Sequence, residues 1–214
     1  MVIDPASQST RENYQLLISC LVPRPIAWVS TMSAEGLHNL APFSFFGGVT
    51  AAPLTMMVSV GRRRGALKDT ARNLLAQHQG VVHIPHRPLA EAMVATSAEV
   101  PAEVDEFELA HLQHVMADTV QARRLVDAAV AFECRMVRHL ELGTGPNDVF
   151  FLEVARVHLH ESVLGNDGLP DASKLAAVGR LGRHEYSDTK EVFSIPRPSG
   201  QDVAHLVDTP RSTK

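Results

Sequence analysis

The 214-residue sequence contains only two cysteines, and they lie far apart in the chain. Cys20 and Cys134 both fall in apolar, strand-like segments, and neither belongs to a CxxC pair. The sequence therefore offers no pattern for a zinc site or a redox disulfide, and we expect no bound metal. Unpaired cysteines of this kind fit a reducing compartment best.

The sequence also lacks a long apolar run. No stretch is long enough to predict a membrane span, and residues 1–10 lack the apolar core of a secretory signal. A net charge of −4 gives no reason to expect nucleic-acid binding. With 45% hydrophobic and 21% charged residues, the chain is predicted to be a soluble, globular, cytoplasmic protein that binds neither nucleic acid nor a membrane.

Strand-like segments dominate the chain, and a few helical segments interrupt them. The sequence predicts strands over 25–31, 38–49, 54–60, 80–84, 130–141 and 148–161, with a strong turn at 142–147. Helical patterns cover 13–18, 66–79, 88–97 and 118–128, and the acidic stretch 98–115 is read as an extended loop. About six strands with peripheral helices indicate a small, mainly β barrel.

Two segments carry features suited to a ligand. In residues 24–44, hydroxyl groups, small residues and Pro42 would let the backbone approach a flat ligand closely; the alternative is an ordinary barrel hairpin with a proline bulge. In residues 59–73, a loop with three consecutive arginines leads into a helix that opens at Lys68, Asp69 and Thr70. A helix N-terminus flanked by basic residues suits a phosphate monoester, although a solvated basic turn with Asp69 as a simple cap is the alternative.

These segments together resemble one known family. The strings RPIAWVST, NLAPFSFF and KDTARN, in this order, are similar to motifs of the flavin reductase-like FMN-binding split-barrel family. Arg180, Leu181, Gly182 and Tyr186 resemble its late motif, so the resemblance covers about residues 14–198. The three consecutive arginines depart from the family pattern, and the sequence does not say which of them faces inward.

The resemblance implies a six-stranded antiparallel Greek-key split β-barrel that forms a homodimer, with FMN at the dimer interface. It divides the chain into an N-terminal arm (1–24), an FMN-binding domain (25–198) and a polar C-terminal tail (199–214). Ser30 and Thr31 would lie beside the flavin. Its ring would contact Asn39, Ala41, Pro42, Phe43 and Ser44. Its phosphate would be held by Ser59, Arg62, Lys68 and Thr70, with Asp69 at the helix start.

By the same resemblance, the protein would be an oxidoreductase that passes hydride from NADH or NADPH through FMN to a flavin or another small acceptor. The alternatives are an electron-carrier or non-catalytic FMN-binding protein, and a split barrel that binds pyridoxal phosphate or haem. The sequence identifies no acid–base pair, so catalytic residues stay unassigned, and it names no partner monooxygenase. Most of the chemistry belongs to the cofactor, while the protein supplies binding and orientation.

Other polar residues receive ordinary interpretations. Three histidine pairs, at 83 and 86, 111 and 114, and 158 and 160, lack a third ligand at matching spacing and are read as structural. The acidic run 99–108 is typical of a solvated loop. The resemblance implies that it helps cover the substrate side of the flavin, so we expect it to influence the second substrate, with Phe107 and Leu109 as anchors.

Overall fold

The computed structural model describes residues 1–199. Apart from its first residue, the predicted polar tail lies outside the described residues. Within them, no helix is both long enough and apolar enough to cross a membrane.

Seven antiparallel strands form the main sheet: β2 (Ala27–Met32), β3 (His38–Phe43), β4 (Phe46–Ala51), β5 (Leu54–Gly61), β6 (Gln79–His83), β9 (Val130–Leu142) and β10 (Asn147–Leu159). Their order in the sheet is β3-β2-β6-β9-β10-β5-β4. Five short strands form two small sheets: β1 (Arg24–Pro25), β7 (His114–Met116), β8 (Arg123–Leu125), β11 (Gly179–Arg180) and β12 (Tyr186–Ser187).

The main sheet encloses one apolar cluster, to which β2, β3, β5, β6, β9 and β10 all contribute. A second cluster around Trp28, Leu40 and Phe107 fills the opposite face of β2 and β3. Both faces of β2 are therefore buried, which explains why the segment reads as continuously apolar rather than alternating.

The main sheet contains one strand more than the six expected, because the segment 38–49 divides into β3 and β4. The division falls at Ser44 and Phe45, and β3 and β4 become the two edges of the sheet. Pro42 lies in edge strand β3, one of the places in a sheet where a residue without an N–H is tolerated.

Five α-helices surround the sheet: α1 (Thr10–Cys20), α2 (Asp69–Gln77), α3 (Ala90–Ala95), α4 (Glu106–Leu109) and α5 (Ala172–Leu175). Single 3-10 turns lie at Pro5–Ser7, Arg87–Leu89 and Glu161–Val163. Helix α1 is longer than expected because Ser9 and Glu12 form a capping box at its start.

Four further expectations differ from the structure. The stretch 98–115, expected to be an extended loop, contains α4 and the start of β7. The helix predicted over 118–128 is wrong, since this stretch contains a turn followed by β8. The N-cap of α2 is Lys68 rather than Asp69 or Thr70. Helix α2 ends at Gln77, and its C-cap His78 adopts a left-handed conformation, whereas Gly80 lies inside β6. Gly80 is needed there because a Cβ atom would lie 2.8 Å from the backbone oxygen of Ser30.

Candidate functional site

A cavity of about 360 Å³ opens between edge strand β3, the start of α2 and the segment 96–106. Ala41, Pro42 and Phe43 form one wall. Because β3 pairs only with β2, its outward backbone groups have no strand partner and can meet a ligand. Its small side chains, together with Phe43, give this wall a smooth, largely apolar surface.

The basic wall of the cavity is the start of α2. Lys68 occupies the N-cap, and no side chain accepts a hydrogen bond from the first turn, which leaves that end of the helix open toward the cavity. Arg63 adds a second positive charge and pairs with Glu99 at 3.0 Å. Desolvation, and then repulsion by Arg63, lower the pKa of Lys68. The start of α2 thus brings two cationic side chains to the cavity, beside the carboxylate of Asp69, which pairs with Arg72 at 2.7 Å.

Asn39 is held between α2 and α4 by a buried hydrogen-bond network. Its Oδ1 accepts the Thr70 hydroxyl at 2.7 Å, and its Nδ2 donates to Glu106 Oε1 at 3.0 Å. The other carboxylate oxygen of Glu106 accepts the Leu40 backbone N–H at 3.0 Å. Burial raises the pKa of Glu106. The network fixes the orientation of the Asn39 amide and ties α4 to β3.

Seven of the twelve residues predicted from the sequence line this one cavity. They are Asn39, Ala41, Pro42, Phe43, Lys68, Asp69 and Thr70. The fold thus brings β3 and the start of α2 to one cavity, although β4 and β5 separate the two segments in the chain.

The other five predicted residues do not line the cavity. Ser30 and Thr31 are fully buried, and Thr31 accepts a hydrogen bond from Asn73 Nδ2 at 3.0 Å. Ser44 and Ser59 face other cavities. The fifth residue, Arg62, forms ion pairs outside the cavity.

Arg62 is bound to a buried carboxylate rather than facing the cavity. Its Nε and Nη2 donate to Asp148 Oδ2 and Oδ1 at 2.9 and 3.0 Å, and it also contacts Glu141 at 2.9 Å. Asp148 is fully buried, and Arg62 together with His139 lowers its pKa. Of the three consecutive arginines, the one that lines the cavity is Arg63.

Sequence reasoning missed Glu106 as a site residue. It belongs to the acidic run that was interpreted as a solvated loop, yet it is buried and contacts β3. Phe107 is fully buried and anchors α4 as expected, whereas Leu109 is exposed and does not. Val100 and Ala102, from the same run, line the cavity, so this segment forms part of its wall.

One of the histidines interpreted as structural, His158, lies beside two carboxylates. His158 Nε2 lies 2.6 Å from Glu133 Oε1, and Asp118 completes a group whose ligand atoms all lie within 4.8 Å of one another. Spacing along the chain could not reveal this group, because its members come from three separate segments. Glu133 also accepts both N–H groups of Asp118 and Thr119, so it anchors that turn to β9.

Comparison with known sequences gives a consistent match. Residues 18–177 match the flavin reductase like domain family. An uncharacterized protein, BH2278 from Halalkalibacterium halodurans, is 37% identical over 203 residues, which cover 93% of this chain and 97% of that protein.

Solved structures agree with the sequence match. Nitrilotriacetate monooxygenase component B from Bacillus cereus has a TM-score of 0.87 at 33% identity, and the match covers 91% of this chain and 98% of that one. Two more distant structures share the fold: a split-barrel protein from Shewanella frigidimarina (18% identity, TM-score 0.81, 92% and 100% covered) and an FMN-binding protein from Thermus thermophilus (20% identity, TM-score 0.72, 91% and 98% covered).

Proposed function

This chain belongs to the flavin reductase-like family, and on that premise we propose that it binds FMN in the cavity between β3 and α2 and acts as an NAD(P)H-dependent oxidoreductase. One observation carries the proposal. The uncapped start of α2, flanked by Lys68 and Arg63, lies beside a smooth wall of edge-strand backbone. A phosphate monoester suits the first feature and a flat ring suits the second.

The residues present fit FMN in size and in chemistry. A volume of about 360 Å³ falls within the usual range for small-molecule sites, and a further cavity of about 320 Å³ adjoins it at Asn39, Asp69 and Arg72. Lys68 has no carboxylate within 4.0 Å among residues 1–199, so its charge is available to a phosphate.

In this arrangement each part of the cavity has a separate task. Lys68, Arg63 and the α2 N–H groups would hold the phosphate, while Ala41 to Phe43 would support the ring. Asn39, fixed by Thr70 and Glu106, would present its amide in one orientation. When bound, FMN supplies the capacity to accept and pass on a hydride, with NADH or NADPH as donor and a flavin or another small molecule as acceptor.

We further propose that the chain is a homodimer. A cavity of about 620 Å³ beside β1 and β4 is lined by three large apolar side chains that are more than two-fifths exposed: Leu21, Val22 and Leu142. An apolar patch of this kind is typical of an interaction surface. Light scattering should give twice the chain mass of 23.3 kDa, and a monomer that still binds FMN tightly would contradict this proposal.

The resemblance to a monooxygenase component supports a further role in which reduced flavin is delivered to a partner monooxygenase. The main competing function is an FMN-binding electron carrier without its own reductase activity. NAD(P)H oxidation measured with and without added free flavin distinguishes the two, because a reductase that releases flavin accelerates when flavin is supplied.

The first experiment is purification followed by a visible spectrum and mass identification of the released cofactor. Bound FMN should absorb at about 450 nm, as flavins do. Protein that contains pyridoxal phosphate or haem, or that does not bind FMN when it is added, would overturn the proposal.

A further inference from the structure

A second cavity, of about 220 Å³, is also lined by Pro42 and Phe43. It shares those two residues and Ser97 with the proposed flavin cavity. Two arginines, Arg24 and Arg180, line it. A molecule bound there would therefore lie against the same wall as the flavin.

The two arginines form a direct cross-strand pair. Arg24 in β1 is opposite Arg180 in β11, and these strands are antiparallel. Like charges at directly opposed positions destabilise a sheet unless something offsets them. Within residues 1–199, neither arginine has a carboxylate within 4.0 Å. The positive charge at this point is therefore unbalanced.

Arg24 is buried, with 7% of its surface exposed, and its partners are all neutral. Its Nη1 donates to the carbonyl oxygens of Ile18 and Leu21 at 2.6 and 2.7 Å, and its Nη2 donates to that of Leu181 at 3.0 Å. Its Nε donates to the Ser44 hydroxyl oxygen at 3.3 Å. Desolvation, with repulsion by Arg180, lowers its pKa. These bonds hold the guanidinium in place without neutralising it.

Arg180 is oriented by its neighbours but keeps free donors. Its guanidinium lies over the ring of Tyr186, 4.5 Å from the centroid, and it donates to the Tyr186 hydroxyl and the Arg183 carbonyl oxygen. A guanidinium has five N–H groups in a planar fork, so several remain for a ligand. A fixed fork beside a second, buried positive charge is well suited to an anion.

We propose that Arg24 and Arg180 form an anion subsite that holds a phosphate or carboxylate group of the second substrate beside the flavin. This inference rests on the proposed function, since it takes the shared wall to be the flavin wall. The group could come from the phosphates of a nicotinamide dinucleotide or from the carboxylate of an organic acceptor, and both offer the same anionic oxygens.

The test is calorimetric titration of the FMN-loaded protein with two non-reacting probes, inorganic pyrophosphate and benzoate. Bound FMN would occupy the α2 site, so the probes would report on the arginine pair. Arg180→Ala removes the accessible arginine, and Arg180→Gln keeps a long side chain over Tyr186. Arg183→Ala removes the same charge from an exposed position three residues away and serves as the matched control.

We expect the wild type and Arg183→Ala to bind at least one probe alike, with both Arg180 variants weaker by about tenfold or more. Loss of pyrophosphate binding would assign the site to the hydride donor, and loss of benzoate binding would assign it to the acceptor. Absence of binding to the wild type, or equal binding by Arg180→Ala and Arg183→Ala, would overturn the inference.

A second set of titrations distinguishes failure of the proposed FMN binding from failure of the proposed anion subsite. If the protein does not retain FMN, the same titrations on flavin-free Lys68→Ala protein, which lacks the lysine of the α2 site, still test the arginine pair. Anion binding lost only in the Arg180 variants would then support the subsite even though the flavin proposal had failed, and its absence would overturn both.

Discussion

Lys68→Ala should weaken FMN binding far more than riboflavin binding. The Lys68 ammonium group lies at the cavity wall without a carboxylate partner in the described part of the chain, so its proposed partner is the phosphate that riboflavin lacks. A hydrogen bond to a charged group contributes about 1.5–3 kcal/mol, which corresponds to roughly 10- to 150-fold in Kd. Riboflavin affinity should change little.

Thr70→Val should behave differently, although the sequence analysis placed both residues at the phosphate. The Thr70 side chain is buried, and its hydroxyl already donates to Asn39 Oδ1 at 2.7 Å. Its loss would release the Asn39 amide, which both flavins would contact. A neutral hydrogen bond contributes about 0.5–1.5 kcal/mol, so both Kd values should rise by a similar factor of roughly 2 to 13.

The assay is titration of flavin fluorescence with flavin-free protein, and the quantity compared is the ratio of the Kd values for FMN and riboflavin. Arg64→Ala is the matched control, because this exposed arginine lies in the same loop but outside the cavity. An unchanged ratio in Lys68→Ala, or the same change in Arg64→Ala, would refute the assignment of Lys68 to the phosphate.

Three further predictions concern stability. Arg62→Ala should lower the free energy of unfolding by more than the exposed control Arg64→Ala, because it removes the bidentate partner of the fully buried Asp148, which keeps its contact with His139. Chemical denaturation measures this, and FMN affinity should stay unchanged. Burial lowers the pKa of His83 to about 4, so stability should fall as pH falls from about 6.5 to 4, and His83→Gln should flatten this slope in urea titrations at each pH. Gly80→Ala should destabilise the protein by about 1–3 kcal/mol, because the new Cβ would lie 2.8 Å from the Ser30 backbone oxygen. Gly145→Ala is the control: a Cβ there has nothing within 4 Å, so its thermal unfolding should match that of the wild type.

The elements that the sequence determined are those whose signals are local. Alternating apolar residues and a cluster of turn residues predicted the long strands β9 and β10, and helical spacing predicted α2. These signals act over a few residues, so they survive without knowledge of the fold. The helix expected over 118–128 failed because its composition suits a helix, while pairing with β7 draws residues 123–125 into a strand.

The composition of the candidate site follows partly from the sequence and partly from the tertiary structure. The motifs in the sequence singled out Asn39 and Lys68 because the two segments carry their own chemistry, and both residues line one cavity in the structure. The sequence could not choose among the three arginines, since adjacent identical residues carry the same local signal. Only the fold shows which of them forms an ion pair. Arg62 is drawn away by Asp148, which is 86 positions distant in the chain.

Only the tertiary structure decided which polar residues face each other across strands. Glu106 reads as one more acid in a charged run, and only folding brings it to the Leu40 backbone, 66 positions away. The opposition of Arg24 and Arg180 likewise depends on the pairing of two short strands from opposite ends of the chain. A sequence specifies side chains and local backbone preferences, whereas long-range register determines which charges are balanced and which are left for a ligand.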